Sequence, residues 1–464
     1  MPDPTEFHGR PAAAGVRSAG LVAIVAIAFV ALAIAKPWDR PIASPSPPPS
    51  SAGLVVATPS PSAARSPVPS IPVPSPSATT APAPFILGRS PVDGAPWGSI
   101  TWQRLDPAAP ASRLRSVVPW RGGWVATGDG GSSVWTSADG DAWQPLPAGT
   151  GTTFWPDSRV LAVAPGADGV VALTIAQPLA CLPTDLGCTA TPSVPLSAWS
   201  SSDGRTWRVL STTGLPPLPR NADAPLLAGG PLGLVLAWQE PTPLGSRTRI
   251  AISADGRAWR SVPDTALPAT FSVTDLAVVG GRYVASGRLM DATGAARAAL
   301  IGSPDGAAWS LLSLPDATTA PAERQTVVWR LVAAPAGMLA IGVTADTPGR
   351  ELWWWSQDGR SWQVVSGFSP LGSSRYPPLG PTRCPGQGCG DYPDGLVVGD
   401  GSRMVAFRLT DPPGAWTSVD GRTWQAAIVT GDPQVASAGD PLLMPGGVLL
   451  TGPGAAWYGR ASAP

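Results

Sequence analysis

Arginine and aspartate carry nearly all the charge of this chain. Of its 464 residues, 31 are basic and 31 acidic, while His8, Lys36 and Asn221 are the sole histidine, lysine and asparagine. Beyond residue 36 neither histidine nor lysine occurs. A Ser-His-Asp or Cys-His nucleophile, a Schiff-base lysine and a histidine-ligated metal each need a side chain that is missing there. The residue types therefore give no catalytic set, no cofactor and no metal site. With a formal net charge of zero and no basic run to neutralise phosphates, nucleic acid is not an expected partner.

The four cysteines fall into two local pairs, Cys181 with Cys188 and Cys384 with Cys389. Structural zinc sites favour a Cys-x2-Cys spacing and a nearby histidine, and neither occurs. Each interval holds residues that fold back readily: Pro183 and Gly187 in one, Pro385, Gly386 and Gly388 in the other. The spacing predicts two local disulfides, which belong to an oxidising compartment outside the cytoplasm.

The elements that position these groups are announced by a repeat. The string S-x-D-G-x-x-W recurs six times, with its Asp at Asp139, Asp203, Asp255, Asp305, Asp358 and Asp420 and its Trp at Trp143, Trp207, Trp259, Trp309, Trp362 and Trp424. Asp-Gly between two apolar runs signals a hairpin, because the turn needs positive φ, which glycine accepts without steric cost. The Asp and Ser side chains suit the turn's free backbone groups, and the Trp opens the returning strand. These twelve residues are expected to be structural, as are Trp135, Trp199, Trp354 and Trp416, eight residues before four of the motif tryptophans.

Two strand-like runs precede each hairpin, for instance Leu276–Val279 then Tyr283–Ala285, so each unit reads as four strands, A to D, with the motif at the C–D turn. The 58 prolines and 53 glycines argue against long helices. Gly98–Leu105 looks like a D strand lacking A, B and C, while the C-terminal runs around Leu442, Val448 and Trp457 supply A, B and C lacking D. Pairing the two ends predicts an all-β, seven-bladed β-propeller over residues 97–464, with about 53 residues per blade.

The sixfold motif resembles the Asp-box, or BNR repeat, of sialidase-like β-propellers, with Asp and Gly adjacent where the usual pattern has one residue between them. The resemblance implies the propeller fold. It would imply a sialidase only with that family's Arg-Ile-Pro strand, its three arginines and its Tyr-Glu pair. No Arg-Ile-Pro occurs, and from residue 97 onward the Glu are only Glu240, Glu323 and Glu351 and the Tyr only Tyr283, Tyr376, Tyr392 and Tyr458. A sialidase-like glycoside hydrolase stays as the alternative, through two Asp at acid and nucleophile spacing. The preferred reading is a binding or scaffolding module for a protein or glycan.

Recognition is expected on the face where the B–C and D–A loops emerge, opposite the motif turns, because loops on a rigid scaffold carry contacts. The two longest loops, 176–195 and 367–393, belong to that face and hold all four cysteines. Its candidate binding residues are Trp155, Asp157, Arg159, Arg220, Asp223, Glu323, Arg324, Arg375, Tyr376, Asp391, Tyr392 and Asp394.

Residues 19–35 are seventeen in a row without charge, about 25 Å as a helix, and read as a transmembrane signal anchor or as a signal peptide cleaved near Ala35. Residues 1–18 would form a short cytoplasmic tail. Residues 36–96 read as a disordered linker, with fourteen prolines among Ser, Ala and Thr between 41 and 84. The expected address is the cell membrane with the propeller outside the cytoplasm, or secretion after cleavage.

Overall fold

A computed structural model of the chain describes residues 85–87, 97–120, 122–128, 133–146, 158–176, 193–219, 225–230, 232–242, 245–291, 295–315, 326–334, 336–344, 351–365, 395–399, 403–408, 414–431, 441–444, 446–452 and 455–462. The apolar segment 19–35, most of the Pro-rich stretch and all four cysteines lie outside these residues. Among the described residues no helix is long and apolar enough to cross a membrane.

The described fold is all-β and built mostly of four-stranded antiparallel sheets. The first sheet runs Leu114–Trp120, Gly123–Gly128, Ser133–Ser137 and Ala142–Pro145. The second runs Ser158–Gly166, Gly169–Ala176, Ser197–Ser201 and Arg208–Val209. The third comprises Leu226–Gly230, Gly233–Thr242, Gly245–Ser253 and Arg260–Ser261. The fourth comprises Phe271–Val279, Arg282–Met290, Ala296–Ser303 and Ser310–Leu312, and the fifth Thr326–Ala334, Gly337–Thr344, Glu351–Ser356 and Gln363–Val364.

Ser193–Val194 and Leu218–Pro219 form a two-stranded ladder of their own, and eight further strands make one sheet of two halves. One half is Gly395–Gly399, Met404–Arg408, Gly414–Ser418 and Gln425–Thr430; the other is Leu442–Met444, Gly447–Gly452, Ala455–Ser462 and Ser99–Leu105. Ser99–Leu105 pairs antiparallel with the last strand, Arg104 opposite Trp457, as the sequence predicts. It also runs parallel to Ile428–Thr430, which joins the halves.

Alternation along the strands turns an apolar row to each side of every sheet, and these rows meet in seven core clusters. Each cluster draws on two consecutive sheets or halves. One joins the first sheet to the last half, with Leu114, Trp135 and Trp143 against Leu442, Leu449 and Tyr458. The opening strands touch one another in the same cyclic order, and Leu442–Met444 touches Leu114–Trp120. Trp135 and Trp354 are buried in these clusters as expected, while Trp199 and Trp416 are half-buried.

Three residues of the stretch read as linker take part in the fold. Phe85–Ile86 adds a fifth strand at the outer edge of the first sheet, opposite Trp143 and Ala142. Leu87 is buried in the cluster that joins the first sheet to the last half, and its carbonyl accepts a 3.1 Å bond from Arg460. The reason is local composition: Phe85, Ile86 and Leu87 are the first run of three large apolar residues after the prolines.

Candidate functional site

The six motif turns have one construction. In each, the Asp Oδ1 accepts from the Ser hydroxyl two residues before it and from the backbone N–H groups two and three residues after it. The glycine sits at φ between 69° and 78°, a region closed to most side chains. In five copies the Trp Nε1 donates back to that glycine's carbonyl, at 2.7–3.3 Å. All these bonds stay inside the turn.

Backbone N–H bonds hold Asp139, Asp255, Asp305 and Asp358 below the ordinary carboxylate value. In Asp203 and Asp420 partial burial pushes upward, and the N–H bonds outweigh it, taking Asp203 down to about 2. A carboxylate whose folded value is depressed stabilises the fold above its unfolded value and loses that contribution as pH falls through the folded one. The urea midpoint is therefore expected to fall between pH 4 and pH 2. The gap between wild type and Asp203→Asn should narrow over the same window; a gap unchanged down to pH 2 would refute the assignment.

Of the binding residues expected from sequence, only Arg159 is among the described residues. It is exposed on Ser158–Gly166, in register with Ile175. Trp155, Asp157, Arg220, Asp223, Glu323, Arg324, Arg375, Tyr376, Asp391, Tyr392 and Asp394 lie outside them.

The described residues do contain a cleft on the face opposite the motif turns, between the second and third sheets. Its volume is about 650 Å³. The hairpin Gly233–Thr242 and Gly245–Ser253 forms one side, with Trp238 in register with Arg249 and Glu240 with Arg247. Period-two alternation puts these four side chains on one surface of the hairpin. The other surface packs on the fourth sheet: Gln239 Nε2 donates to the Val273 carbonyl (2.6 Å) and to Ser272 (2.8 Å), and Thr248 donates to the Phe271 carbonyl at 2.7 Å. The opposing wall is Pro216, Pro217 and Pro219 with Ser193, which a two-stranded ladder between Ser193–Val194 and Leu218–Pro219 holds together.

Two of the lining residues, Glu240 and Arg249, belong to a charged network that continues to Asp264 and Arg247 beside the cleft. Arg249 Nε donates to Glu240 at 2.6 Å and its Nη1 to Asp264, while Arg247 reaches the other Asp264 oxygen at 2.5 Å. Asp264 comes from the short 3-10 turn Asp264–Ala266, which follows the third sheet. Burial alone would lower the Arg249 pKa, but the bonds to Glu240 and Asp264 outweigh it and raise it. All four side chains are between about a third and two-fifths exposed. Sequence reading missed Trp238, Arg247, Arg249 and Asp264. One signal was present: Trp-x-Glu and Arg-x-Arg at spacing two on facing strands, which a short hairpin turns to one side.

A smaller cleft of about 170 Å³ at the motif-turn edge is lined by Gly280, Gly281, Arg282, Pro304, Asp358 and Arg360. Among the described residues no group of three or more His, Cys, Asp or Glu is placed to hold a metal ion.

No protein-family profile and no curated protein matches the sequence. Among solved structures, the chain is similar to virginiamycin B lyase from Staphylococcus aureus, at 10% identity and a TM-score of 0.43, over 78% of this chain and 99% of that one. It is also similar to a Hadza microbial sialidase (14% identity, TM-score 0.35, 74% and 73% covered) and to Aleuria aurantia lectin (12%, 0.35, 69% and 97%). These are propeller structures, and at such scores they assign no function.

Proposed function

We propose that this chain is a seven-bladed β-propeller, displayed outside the cytoplasm on an anchor at residues 19–35 and a Pro-rich spacer, that binds a protein or glycan on the face opposite its motif turns. The cyclic contacts among the opening strands and the seven inter-sheet clusters support the blade count. Apolar segment and local cysteine pairs support the address. The observation that carries the binding role is the cleft between the second and third blades. There a preformed charged network and rigid proline walls present hydrogen-bonding groups, while the motif aspartates are spent inside their own turns.

Two arginines on opposite faces, the half-buried Arg247 and the exposed Arg360, test the assignment. The full chain is screened against immobilised glycans and extracellular proteins beside Arg247→Glu, at the cleft, and Arg360→Glu, at the motif-turn edge. A ligand of the wild type should lose at least tenfold in affinity with Arg247→Glu and stay within twofold with Arg360→Glu. The reverse pattern would move the site to the other face. Cleavage of a bound glycan would replace the binding module by a glycoside hydrolase.

A further inference from the structure

The chemistry of the cleft selects among ligands. Its two ionisable lining side chains, Glu240 and Arg249, are paired with each other, and Asp264 and Arg247 extend the network from Arg249, so that two positive and two negative charges are mutually compensated. An acidic ligand would have to displace Glu240 or Asp264 from Arg249, giving up a charge-assisted bond for each one gained. A cationic ligand faces the same exchange at the carboxylates. A hydroxyl group does not: it donates to a carboxylate oxygen and accepts from a guanidinium N–H while the ion pairs stay intact.

Capacity for such bonds remains. A guanidinium has five N–H donors and a carboxylate about four lone-pair positions, and the Glu240 and Asp264 pairs engage Arg249 through Nε and Nη1 only. Groups alternating as donor and acceptor suit vicinal hydroxyls, each of which is both. The facing wall fits the rest of such a molecule. Pro216, Pro217 and Pro219 on that wall, like Pro241 on the hairpin side, have no backbone N–H, so they offer C–H surface without competing donors, and Trp238 also lines the cleft. Ser193 and Ser261, which also line the cleft, add two neutral hydroxyl groups. The volume lies within the usual range of small-molecule sites, about 300–1,000 Å³. Proline rings and locked ion pairs reduce the side-chain freedom lost on binding.

We propose that this cleft takes a neutral, hydroxyl-rich ligand, an uncharged carbohydrate, and discriminates against sialylated, uronate-containing and sulfated sugars. The proposal rests on the reading of the cleft as the binding site. A site built to hydrogen-bond hydroxyls rejects analogues that lack them far more strongly than an apolar pocket rejects a missing methylene.

The test uses the full chain with methyl mannoside, methyl galactoside, methyl fucoside and N-acetylglucosamine, against N-acetylneuraminic acid, glucuronic acid and galactose sulfate, by ligand-observed NMR and calorimetry. At least one neutral sugar should bind, with affinity changing less than twofold between 50 and 500 mM salt. Glu240→Gln and Asp264→Asn should each weaken it at least tenfold at an unchanged melting temperature. Tighter binding of an acidic sugar, falling steeply with salt, overturns the neutral-ligand inference and leaves the cleft reading intact. So does an Arg247→Glu-sensitive ligand that proves to be a protein. Neutral-sugar binding untouched by either cleft variant but lost in Arg360→Glu overturns both. Absence of binding by all seven probes overturns the inference alone.

Discussion

Removing residues 97–106 from the full chain is expected to abolish cooperative unfolding of the β-fold, whereas removing 1–84 leaves it in place. Ser99–Leu105 closes the molecule: it pairs over seven residues with Ala456–Ser462 and in parallel with Ile428–Thr430. It also inserts Ile100, fully buried, and Trp102, which meets Phe407 edge-on at 6.0 Å. Just before it, Trp97 is buried beneath the Arg403 guanidinium at 5.0 Å and donates its backbone N–H to Thr417. Deleting one buried residue of this size costs about 3–5 kcal/mol, so three together reach the 5–15 kcal/mol that holds a typical domain folded. Ile100→Ala alone should cost about 2–5 kcal/mol. Calorimetry on both truncations decides the matter. If the deletion of 97–106 melts as sharply and as high as the chain lacking 1–84, the strand is decoration and the closure argument fails.

The second large effect separates the two halves of the repeated motif. Trp207→Ala is expected to destabilise the chain by about 3–5 kcal/mol, and Asp203→Ala by about 1 kcal/mol. The Trp207 side chain has no exposed surface and fills the contact between the first and second sheets, among Val134, Leu146 and Val170. Asp203 stands at the exposed edge, where water replaces much of what its three bonds supply. Urea unfolding of both variants at pH 7 gives the comparison. Equal costs would mean that the turn, rather than the tryptophan, organises the repeat.

The Ser-x-Asp-Gly-x-x-Trp turn was legible without coordinates because every bond it makes joins residues at most three apart. Positive φ at Gly140 and its five counterparts is a property of one residue, and strand alternation is a property of a handful. The complementary ends were legible for a similar reason: a lone D strand and an A-B-C set lacking one are both defects in a count. The Phe85–Leu87 strand was not, since three apolar residues after a Pro-rich run define no partner. The cleft needed the tertiary structure. Glu240 and Arg249 are nine residues apart and face each other only because a hairpin folds them together. Asp264 joins them only where the chain leaves the third sheet. Pro216, Pro217, Pro219 and Ser193 arrive from segments flanking the second sheet, tied by their own two-stranded ladder and by the packing of Leu218 and Leu210 with Trp238 and Leu236. Local hydrogen bonding is written in adjacent residues; which charges and walls meet between two sheets depends on how those sheets pack, and no single stretch of sequence carries that geometry.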